Sequence, residues 1–338
     1  MVEEVDKMRV LFVKPWNATF IQSDLELMKR HFEVKVVDFV LSRKRPIATL
    51  VALLRMAVGT LWAQVVFTWF ADVNALWAVR LSRILRRRSI VVVGGYEVNS
   101  MPEFGYGSML NPKSANVVRF VLLHSDQILA VSEFIEAQIR KHVKLDNVRV
   151  LYNSVDTNKF LPSARKEELV VTVGSATTGL YAAKGVDCFV RSSCAIAAAR
   201  FVVIGQFDDA TRNLLREVAP NVEFTGPLAH DDVLMWFDRA KVYCQLSKQE
   251  SFGIALAEAM SYECVPVVTE GGALREVVGN TGFYVPFGDS LATSTAIAKA
   301  LHSKGGQIAR ERIVKMFSTI DRERELVRLI EGLEQPRR

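Results

Sequence analysis

Apolar residues recur along the chain in short runs, and longer amphipathic segments separate these runs. A short apolar run bounded by turn residues predicts a buried strand, and apolar residues three or four positions apart predict a helix. The two patterns alternate throughout, which is typical of βαβ units with a parallel sheet. The predicted strands are Arg9–Val13, Glu33–Val37, Val65–Thr68, Ser89–Val93, Gln127–Val131 and Val148–Leu151 in the first half, and Leu169–Val173, Arg200–Ile204, Val222–Thr225, Val242–Gln245, Val265–Thr269 and Gly282–Val285 in the second.

The repetition of this pattern in both halves predicts two domains. The chain has 338 residues, which is more than one hydrophobic core usually organises. A turn-rich segment from Asn153 to Asp156 follows a predicted strand and marks the boundary. We therefore expect an α/β protein with two Rossmann-like parallel-sheet domains, 1–153 and 154–317. Ligands of such sheets bind beyond the carboxyl ends of the strands, so we expect the site in a cleft between the domains.

No membrane-spanning segment and no signal peptide are expected. The longest apolar run, Met56 to Ala71, contains Gly59 and Gln64 and is shorter than the ~20 residues that a spanning helix needs. We interpret it as the end of a helix followed by a buried strand. The first residues are acidic, whereas a signal peptide begins with basic ones.

Composition indicates a compact globular protein, with 50% hydrophobic and 24% charged residues. Residues 1–150 carry 21 Lys and Arg against 14 Asp and Glu, so the first half holds the whole positive excess of a chain with net charge +6. This excess, with clusters at 43–45 and 86–88, suits an anionic membrane surface or a phosphorylated substrate, and solvated loop charges are the alternative. Nucleic-acid-binding motifs are absent from the sequence.

The cysteines favour packing in a reducing compartment over a metal site or disulfides. They form no C-x-x-C pair and lie within apolar or helical patterns. The four are Cys188, Cys194, Cys244 and Cys264.

The stretch SKQESFGIALAEAM, from Ser247 to Met260, contains two carboxylates around one predicted helix, 252–260. Glu250 precedes the helix and Glu258 lies about two turns within it. A helix N-terminus offers unpaired N–H groups and a partial positive charge, and Gly253 lets a ligand approach that backbone. The pattern predicts a phosphate site, and an amphipathic helix with a solvated glutamate is the alternative.

Glycines follow several predicted strands of the second half, at Gly174, Gly205, Gly226 and Gly271. All would emerge at the carboxyl edge of one sheet, where they would frame a single ligand. Each is also compatible with an ordinary turn.

These motifs resemble those of retaining glycosyltransferases with the GT-B architecture, specifically the family-four (group 1) type. The segment 247–260 is similar to that family's E-x7-E motif, and further similar segments follow the family's order. These segments are VLYNSVDTNKF (150–160), FTGPLAHDDV (224–233), VPVVTEGGALREVVGNTGFYVPFGD (265–289) and, in the first half, HSDQILAVSEF (124–134).

The resemblance implies roles for individual residues in a nucleotide-sugar site. Glu258 would accept hydrogen bonds from the ribose hydroxyls, and Glu250 would reach the donor sugar as a catalytic residue. Lys184, in a lysine-glycine pair, would be the catalytic cation that stabilises the departing diphosphate. The other implied donor-binding residues are Ser251, Phe252, Gly253 and Ile254 through their backbone, Gly174, Ser175 and Thr178 in the loop after a strand, and Leu228 and His230 beside the base.

The chain departs from the family pattern at three places. Ser175 stands where relatives commonly carry an arginine, so loop hydroxyls would help to hold the diphosphate. The histidine that many relatives have after the fourth strand is missing, and the first loop lacks the usual glycine pair. The acceptor-side candidates in those two loops are Tyr96 and Glu97, and Trp16 and Asn17.

By this resemblance the chain is expected to be a metal-independent hexosyltransferase without cofactor, using a UDP-, GDP- or ADP-sugar and a glycan, lipid-linked or small-molecule acceptor. The segment 318–338 would cross back to the first domain. We expect a cytoplasmic location, with peripheral contact to an anionic membrane.

The alternatives are a catalytically silent relative that binds nucleotide sugars, and a GT-B phosphorylase or epimerase. A dinucleotide-dependent oxidoreductase is disfavoured, because Lys14-Pro15-Trp16 follows the first strand where G-x-G-x-x-G would stand.

Overall fold

The computed structural model describes residues 7–39, 44, 46–163, 165–174 and 180–333. Within these residues the chain forms two parallel sheets of six strands each. Every predicted strand is present, with ends within two residues of the prediction. The two-sheet α/β architecture expected from the sequence is thereby confirmed.

The first sheet has the order β2-β1-β3-β4-β5-β6. Successive strands add in opposite directions from β1 and from β3, so the order reverses between these two neighbours. Loops that follow strands on either side of such a reversal border the usual ligand crevice of an open α/β sheet. The strands are Arg9–Lys14 (β1), Glu33–Asp38 (β2), Val65–Trp69 (β3), Arg88–Val93 (β4), Gln127–Ala130 (β5) and Val148–Val150 (β6).

The second sheet has the order β12-β11-β10-β7-β8-β9, which is the Rossmann strand order. Here the reversal falls between β7 and β10 in the middle of the sheet. The strands are Glu167–Val173 (β7), Arg200–Ile204 (β8), Glu223–Gly226 (β9), Ala240–Gln245 (β10), Val265–Thr269 (β11) and Phe283–Val285 (β12).

Helices connect the strands of both sheets. In the first half they are Thr19–His31 (α1), Pro46–Trp62 (α2), Val73–Ile84 (α3), Pro112–His124 (α4) and Glu133–His142 (α5), with short 3₁₀ turns at Tyr96–Val98, Pro102–Phe104 and Ser108–Leu110. In the second half they are Leu180–Ala183 (α6), Val186–Ser193 (α7), Asp209–Val218 (α8), His230–Arg239 (α9), Ile254–Ser261 (α10), Leu274–Val278 (α11), Ser290–Leu301 (α12), Gly306–Met316 (α13) and Thr319–Glu331 (α14).

The central strands are buried on both faces, as expected for parallel sheets covered by helices. All five residues of β3 are buried, and Phe12 of β1 stacks on Phe67 with ring centroids 5.4 Å apart. Burying each large apolar side chain contributes roughly 1.5–3 kcal/mol. The apolar run at 56–71 is confirmed as a helix end followed by a buried strand.

Contacts divide the chain into two compact units. Residues up to Asn153 and those from Ile320 onward form the first unit, and Ser154–Thr319 forms the second. The assignment of acceptor and donor roles to the two units stays a prediction.

A buried ion pair joins α14 to the first unit. Arg322 donates from Nε to Asp24 Oδ1 at 2.6 Å and from Nη2 to Oδ2 at 2.8 Å, and neither side chain is more than 3% exposed. Trp69 Nε1 donates to the same carboxylate at 3.1 Å, and Arg322 also donates to the carbonyl of Leu151. A two-pronged, fully hydrogen-bonded pair of this kind fixes the position of the helix, since each buried charge is satisfied.

Candidate active site

Two of the predicted donor-site side chains of the second unit, Lys184 and Glu250, come from the segments that follow β7 and β10. These strands are neighbours at the point where the strand order reverses. The β7 loop leads to Lys184, and the β10 loop contains Glu250. The topology therefore brings these two sequence-predicted side chains to the same edge of the sheet.

Lys184 and Glu250 form an ion pair, with Nζ 2.7 Å from Oε1. The lysine side chain is 36% exposed and the glutamate side chain 15%. Lys184 is therefore anchored to a carboxylate while part of it remains accessible to a ligand. The pair places one positive and one negative group side by side, which suits a substrate that carries a diphosphate next to sugar hydroxyls.

A close backbone approach holds the β7 and β10 loops together. Lys248 N donates to the carbonyl of Ala183 at 2.8 Å. Gly185 has φ of 69°, and a Cβ at this position would lie 2.1 Å from the carbonyl oxygen of Leu246. Only glycine allows both the left-handed backbone and this contact, so the lysine-glycine pair has a structural reason.

Polar side chains that sequence reasoning missed hold the Glu250 carboxylate. Ser247 Oγ donates to Oε1 at 2.8 Å and Gln245 Nε2 at 3.2 Å. Tyr243 in turn donates from its hydroxyl to Gln245 Oε1 at 2.9 Å. Burial, with the nearby charge of Glu250, raises the pKa of Tyr243 well above its ordinary value, so its hydroxyl stays protonated as a donor. The sequence signal for this network is the pair of polar residues Gln245 and Ser247, which stand at and after the end of an otherwise apolar strand.

The paired glycines after β11 position the backbone of Glu250. Glu250 N donates to the carbonyl of Gly271 at 3.3 Å, and Ala273 N donates to the carbonyl of Glu250 at 2.9 Å. A Cβ on Gly271 would lie 2.1 Å from the carbonyl oxygen of Lys248, and one on Gly272 would lie 2.1 Å from that of Glu250. These glycines support the glutamate loop by close packing.

Helix α10 begins at Ile254, two residues later than predicted from the sequence. Gly253 precedes it with φ of 92°, a left-handed conformation that ends the loop and starts the helix. A glycine supplies no capping side chain, so the first N–H groups of the helix are available to water or to an anion. The Phe252 ring is 2% exposed and lies edge-on to Phe317, so any ligand contact of Phe252 is through its backbone.

Glu258 lies just over one turn into α10 because of this later start, not two turns as predicted. It is 6% exposed and pairs with His230 at the start of α9, with Oε1 2.8 Å from Nε2. This hydrogen bond raises the pKa of His230 above its ordinary value, while burial opposes the shift. Leu228 is half-buried two residues before His230. The predicted ribose and base residues are thus neighbours, and sequence reasoning missed their direct contact.

The loop after β7 is described only in part. Gly174 directly follows the strand, and its N–H donates to the carbonyl of Ile204 at 2.9 Å. The predicted loop hydroxyls, Ser175 and Thr178, lie outside the described residues. Ser251 lies in the described loop before α10 and is half-buried.

Aromatic residues meet at the carboxyl edge of the first sheet. Trp16, after β1, is 54% exposed and stacks on Phe70, after β3, with centroids 4.7 Å apart. A Cβ on Gly94, after β4, would lie 2.4 Å from the Phe70 ring. Three loops on both sides of the strand reversal therefore converge, and they present an exposed indole face.

Two other acceptor-side candidates, Tyr96 and Asn17, are both exposed. Tyr96 is 49% exposed and lies edge-on to Tyr106 at 4.9 Å. Asn17 Oδ1 accepts from Lys14 Nζ, and from Gln22 Nε2 at 2.7 Å.

Glu97 is 2% exposed, and its carboxylate accepts from the N–H groups of Gly94, Gly95 and Ala71. Burial raises the pKa of Glu97 above its ordinary value, against these hydrogen bonds. Its contacts are therefore to the loop backbone, and it stabilises the conformation of that loop.

The described part of the chain contains neither a metal cluster nor a membrane-spanning helix. No group of three or more His, Cys, Asp or Glu side chains is placed to hold a metal ion there. None of the helices in that part is long and apolar enough to cross a membrane. The cysteines are all unbridged, and three of them are buried.

Family models and a curated relative match both units. Residues 18–159 match Glycosyltransferase Family 4, and residues 167–303 match Glycosyl transferases group 1. The phosphatidylinositol N-acetylglucosaminyltransferase gpi3 subunit of Schizosaccharomyces pombe is 27% identical over 239 residues, which cover 64% of this chain and 51% of that protein. The match thus spans about half the length of this relative.

Solved structures share the fold over nearly the whole chain. The sucrose-phosphate synthase of Thermosynechococcus elongatus has a TM-score of 0.80 at 15% identity, covering 97% of this chain and 99% of that one. Anabaena HepE, in a structure with UDP-glucose, has a TM-score of 0.75 at 14% identity, covering 96% and 100%. This likeness shows the GT-B fold, and the two family models, which together match most of the chain, show that it belongs to the family-four, group 1 glycosyltransferases.

Proposed function

We propose that the protein is a retaining hexosyltransferase that moves a sugar from a nucleoside-diphosphate sugar to a hydroxyl acceptor. The observation that carries this proposal is the Lys184–Glu250 ion pair beside the start of α10, with Glu258 one turn into the same helix. The pair and the helix start together offer a cation, free backbone N–H groups and carboxylates, which are the groups that a sugar diphosphate needs.

The diphosphate and the ribose of the donor each have a matching group. The backbone at Gly253 and Ile254 would receive the diphosphate at the positive end of α10. Glu258 would accept hydrogen bonds from the two ribose hydroxyls, because a carboxylate has two acceptor oxygens. The solved complex of HepE with UDP-glucose supports a nucleotide sugar as the class of donor.

Catalysis would depend on charge at the leaving group. As the bond between the anomeric carbon and the diphosphate breaks, positive charge grows on the sugar and negative charge on the diphosphate. Lys184 and the helix start would stabilise the diphosphate, and Glu250 would hold Lys184 and face the sugar. Because Lys184 and the helix start supply positive charge at the leaving group, we propose that catalysis needs no metal ion.

As the family resemblance implies, the acceptor would attack the face of the donor sugar from which the diphosphate leaves. The anomeric configuration would therefore be retained. The acceptor oxygen would bond to the anomeric carbon, and its proton would pass to the departing diphosphate.

The acceptor is proposed to be a glycan, a lipid-linked sugar or a small molecule with a free hydroxyl. The name of the fission-yeast relative, which acts on phosphatidylinositol, favours a lipid-linked acceptor. The positive excess of the first half is consistent with an acceptor presented at an anionic membrane on the cytoplasmic side.

A two-step experiment tests the proposal. Thermal unfolding with UDP-, GDP- and ADP-sugars first identifies the donor, because a bound ligand raises the unfolding temperature by mass action. Mass spectrometry then follows release of the nucleoside diphosphate with a panel of acceptors and with water alone. We expect stabilisation by one donor class and acceptor-dependent release.

The outcomes separate the alternatives. Stabilisation without turnover under any acceptor or in water would favour a catalytically silent nucleotide-sugar-binding protein, the second candidate, which the missing arginine and histidine of the sequence motivate. Conversion of the nucleotide sugar to its epimer without an acceptor would favour an epimerase. No stabilisation by any nucleotide sugar would contradict the proposal itself.

A further inference from the structure

Helix α2 presents its large apolar side chains to solvent. The exposed positions recur at three- and four-residue intervals, so they form a single face along the helix. The most exposed are Ile47 at 78% and Val58 at 65%. We call this set the α2 face, and its members are Ile47, Leu50, Val51, Leu54, Val58 and Leu61.

The side of α2 that packs on the first sheet contains small residues as well as the large residues Met56, Leu53 and Trp62. Gly59 and Thr60 are fully buried, with Met56. A Cβ on Gly59 would lie 2.6 Å from Leu11 Cδ1, so the glycine lets the helix lie close to β1. The large apolar residues on the opposite side of α2 are exposed, so the packing of the core does not account for them.

Positive charge surrounds the α2 face. The helix contains no acidic residue, and its one charged side chain, Arg55, is exposed. Arg87 donates from Nη2 to the carbonyl of Leu61 at 2.7 Å, which places the 86–88 basic cluster at the end of α2. Exposed Lys44 lies two residues before the helix, within the basic cluster 43–45 of the sequence.

An apolar groove runs beside the α2 face, between α2 and the edge strand β2. Its volume is about 440 Å³, and Leu11, Val36, Val37 and Leu54 are among the residues that line it. Lys35 and Arg55 line it as well, and the Lys35 ammonium lies 4.1 Å from the centroid of the Trp62 ring. Apolar walls with two cationic side chains match a phospholipid, whose acyl chain is apolar and whose headgroup phosphate is anionic.

We propose that the α2 face docks on an anionic phospholipid bilayer, with α2 lying in the plane of the interface. Apolar residues on one side of a helix, with lysine and arginine around them, are typical of interfacial helices, and anionic headgroups attract such cations. A second copy of the chain fits this surface less well, since pairing two α2 faces would bring basic clusters together. The helix is too short to span the bilayer instead.

This inference extends the proposed membrane contact of the transferase to a defined surface. Binding to vesicles needs neither donor nor turnover. If the protein does not bind vesicles, the proposed donor site is therefore unaffected. If it transfers no sugar, its binding to vesicles can still be measured.

Vesicle co-sedimentation of the full chain tests the docking surface. The vesicles contain phosphatidylcholine alone or with about 30 mol% phosphatidylglycerol. The test variant is the double substitution Leu54→Glu and Val58→Glu. The matched control is Leu291→Glu, an equally apolar and 76% exposed position on α12 of the second unit. Circular dichroism and the unfolding temperature establish that each variant is folded.

We expect the wild type and Leu291→Glu to bind the anionic vesicles, and the double variant to lose about tenfold or more of that binding, because charges replace buried apolar groups at the interface. Binding by the wild type should also fall on neutral vesicles and at high salt. Equal binding by the double variant, or no binding to anionic vesicles, would overturn the proposal. A dimer of the wild type that is lost in the double variant, measured by analytical ultracentrifugation, would also overturn the proposal.

Discussion

At the carboxyl edge of the second sheet charged side chains meet in pairs, whereas aromatic rings meet at the same edge of the first sheet. Glu250 and Glu258 each contact a basic partner at 2.7–2.8 Å. In the first unit Trp16 stacks on Phe70, and the carboxylate of Glu97 is turned to the backbone. Both edges lie at a reversal of strand order, yet they offer different chemistry. The second edge suits a charged nucleotide, and the first suits the apolar face of a sugar or another ring.

Substitution of Lys184 should give the largest effect on the charged edge. We expect Lys184→Ala to lower kcat by about 10²-fold or more, since a group aimed at a leaving group acts mainly in the transition state. Steady-state kinetics with saturating donor measures this. Lys299→Ala, an exposed lysine of the same unit, is the control and should leave kcat unchanged. A kcat within a factor of about two of wild type for Lys184→Ala would remove the lysine from the mechanism.

Substitution of Glu258 should act on donor affinity. We expect Glu258→Gln to raise the KM for the donor by about 10- to 100-fold, because hydrogen bonds to a charged group contribute roughly 1.5–3 kcal/mol. The KM for the acceptor should stay the same. Glu217→Gln, an exposed carboxylate on α8, is the matched control. If both variants have the donor KM of the wild type, Glu258 does not contact the ribose.

Removal of the exposed indole tests the aromatic edge of the first unit. We expect Trp16→Ala to raise the acceptor KM by about 2- to 10-fold, since an aromatic stacking contact contributes roughly 0.5–1.5 kcal/mol. The donor KM should not change. Trp16→Phe should recover part of the loss because it keeps a ring above Phe70. A change in the donor KM with an unchanged acceptor KM would show that Trp16 acts on the donor, and the proposed difference between the two edges would then be wrong.

The smallest expected effect is the pH dependence that His230 gives to stability. Its folded pKa is raised by Glu258, so its contribution is fully present below the ordinary histidine value of about 6.5 and is lost as pH rises through the raised value. The free energy of unfolding of His230→Gln, relative to wild type, should therefore be lowest in acid and should approach wild type at alkaline pH. Urea unfolding at several pH values measures this difference. A difference that is constant with pH would show that His230 and Glu258 are not coupled by a proton.

The sheets were predictable because parallel strands covered on both faces are continuous apolar runs. Val265–Thr269 and Arg200–Ile204 were predicted to the residue. The start of α10 was wrong by two residues, since the left-handed backbone of Gly253 is a conformation that composition alone does not reveal. Helix ends depend on such local geometry more than on periodicity.

Contacts between distant residues were beyond the sequence. Asp24 and Arg322 are 298 positions apart, and neither position is apolar, yet both are buried. His230 and Glu258 were both predicted at the donor site, but their contact depends on how α9 and α10 pack. The α2 face was missed for a related reason, because an apolar helix sequence does not tell which side faces the sheet.

The proposed function depends above all on the start of α10, which we propose binds a nucleoside diphosphate between Glu250 and Glu258. A crystal structure with whichever of UDP, GDP or ADP stabilises the protein most tests it directly. We predict phosphate oxygens within hydrogen-bond distance of the N–H groups at Gly253 and Ile254, and both ribose hydroxyls on the Glu258 carboxylate. A nucleotide bound elsewhere, with the two glutamates still engaged as in the free protein, would contradict the claim.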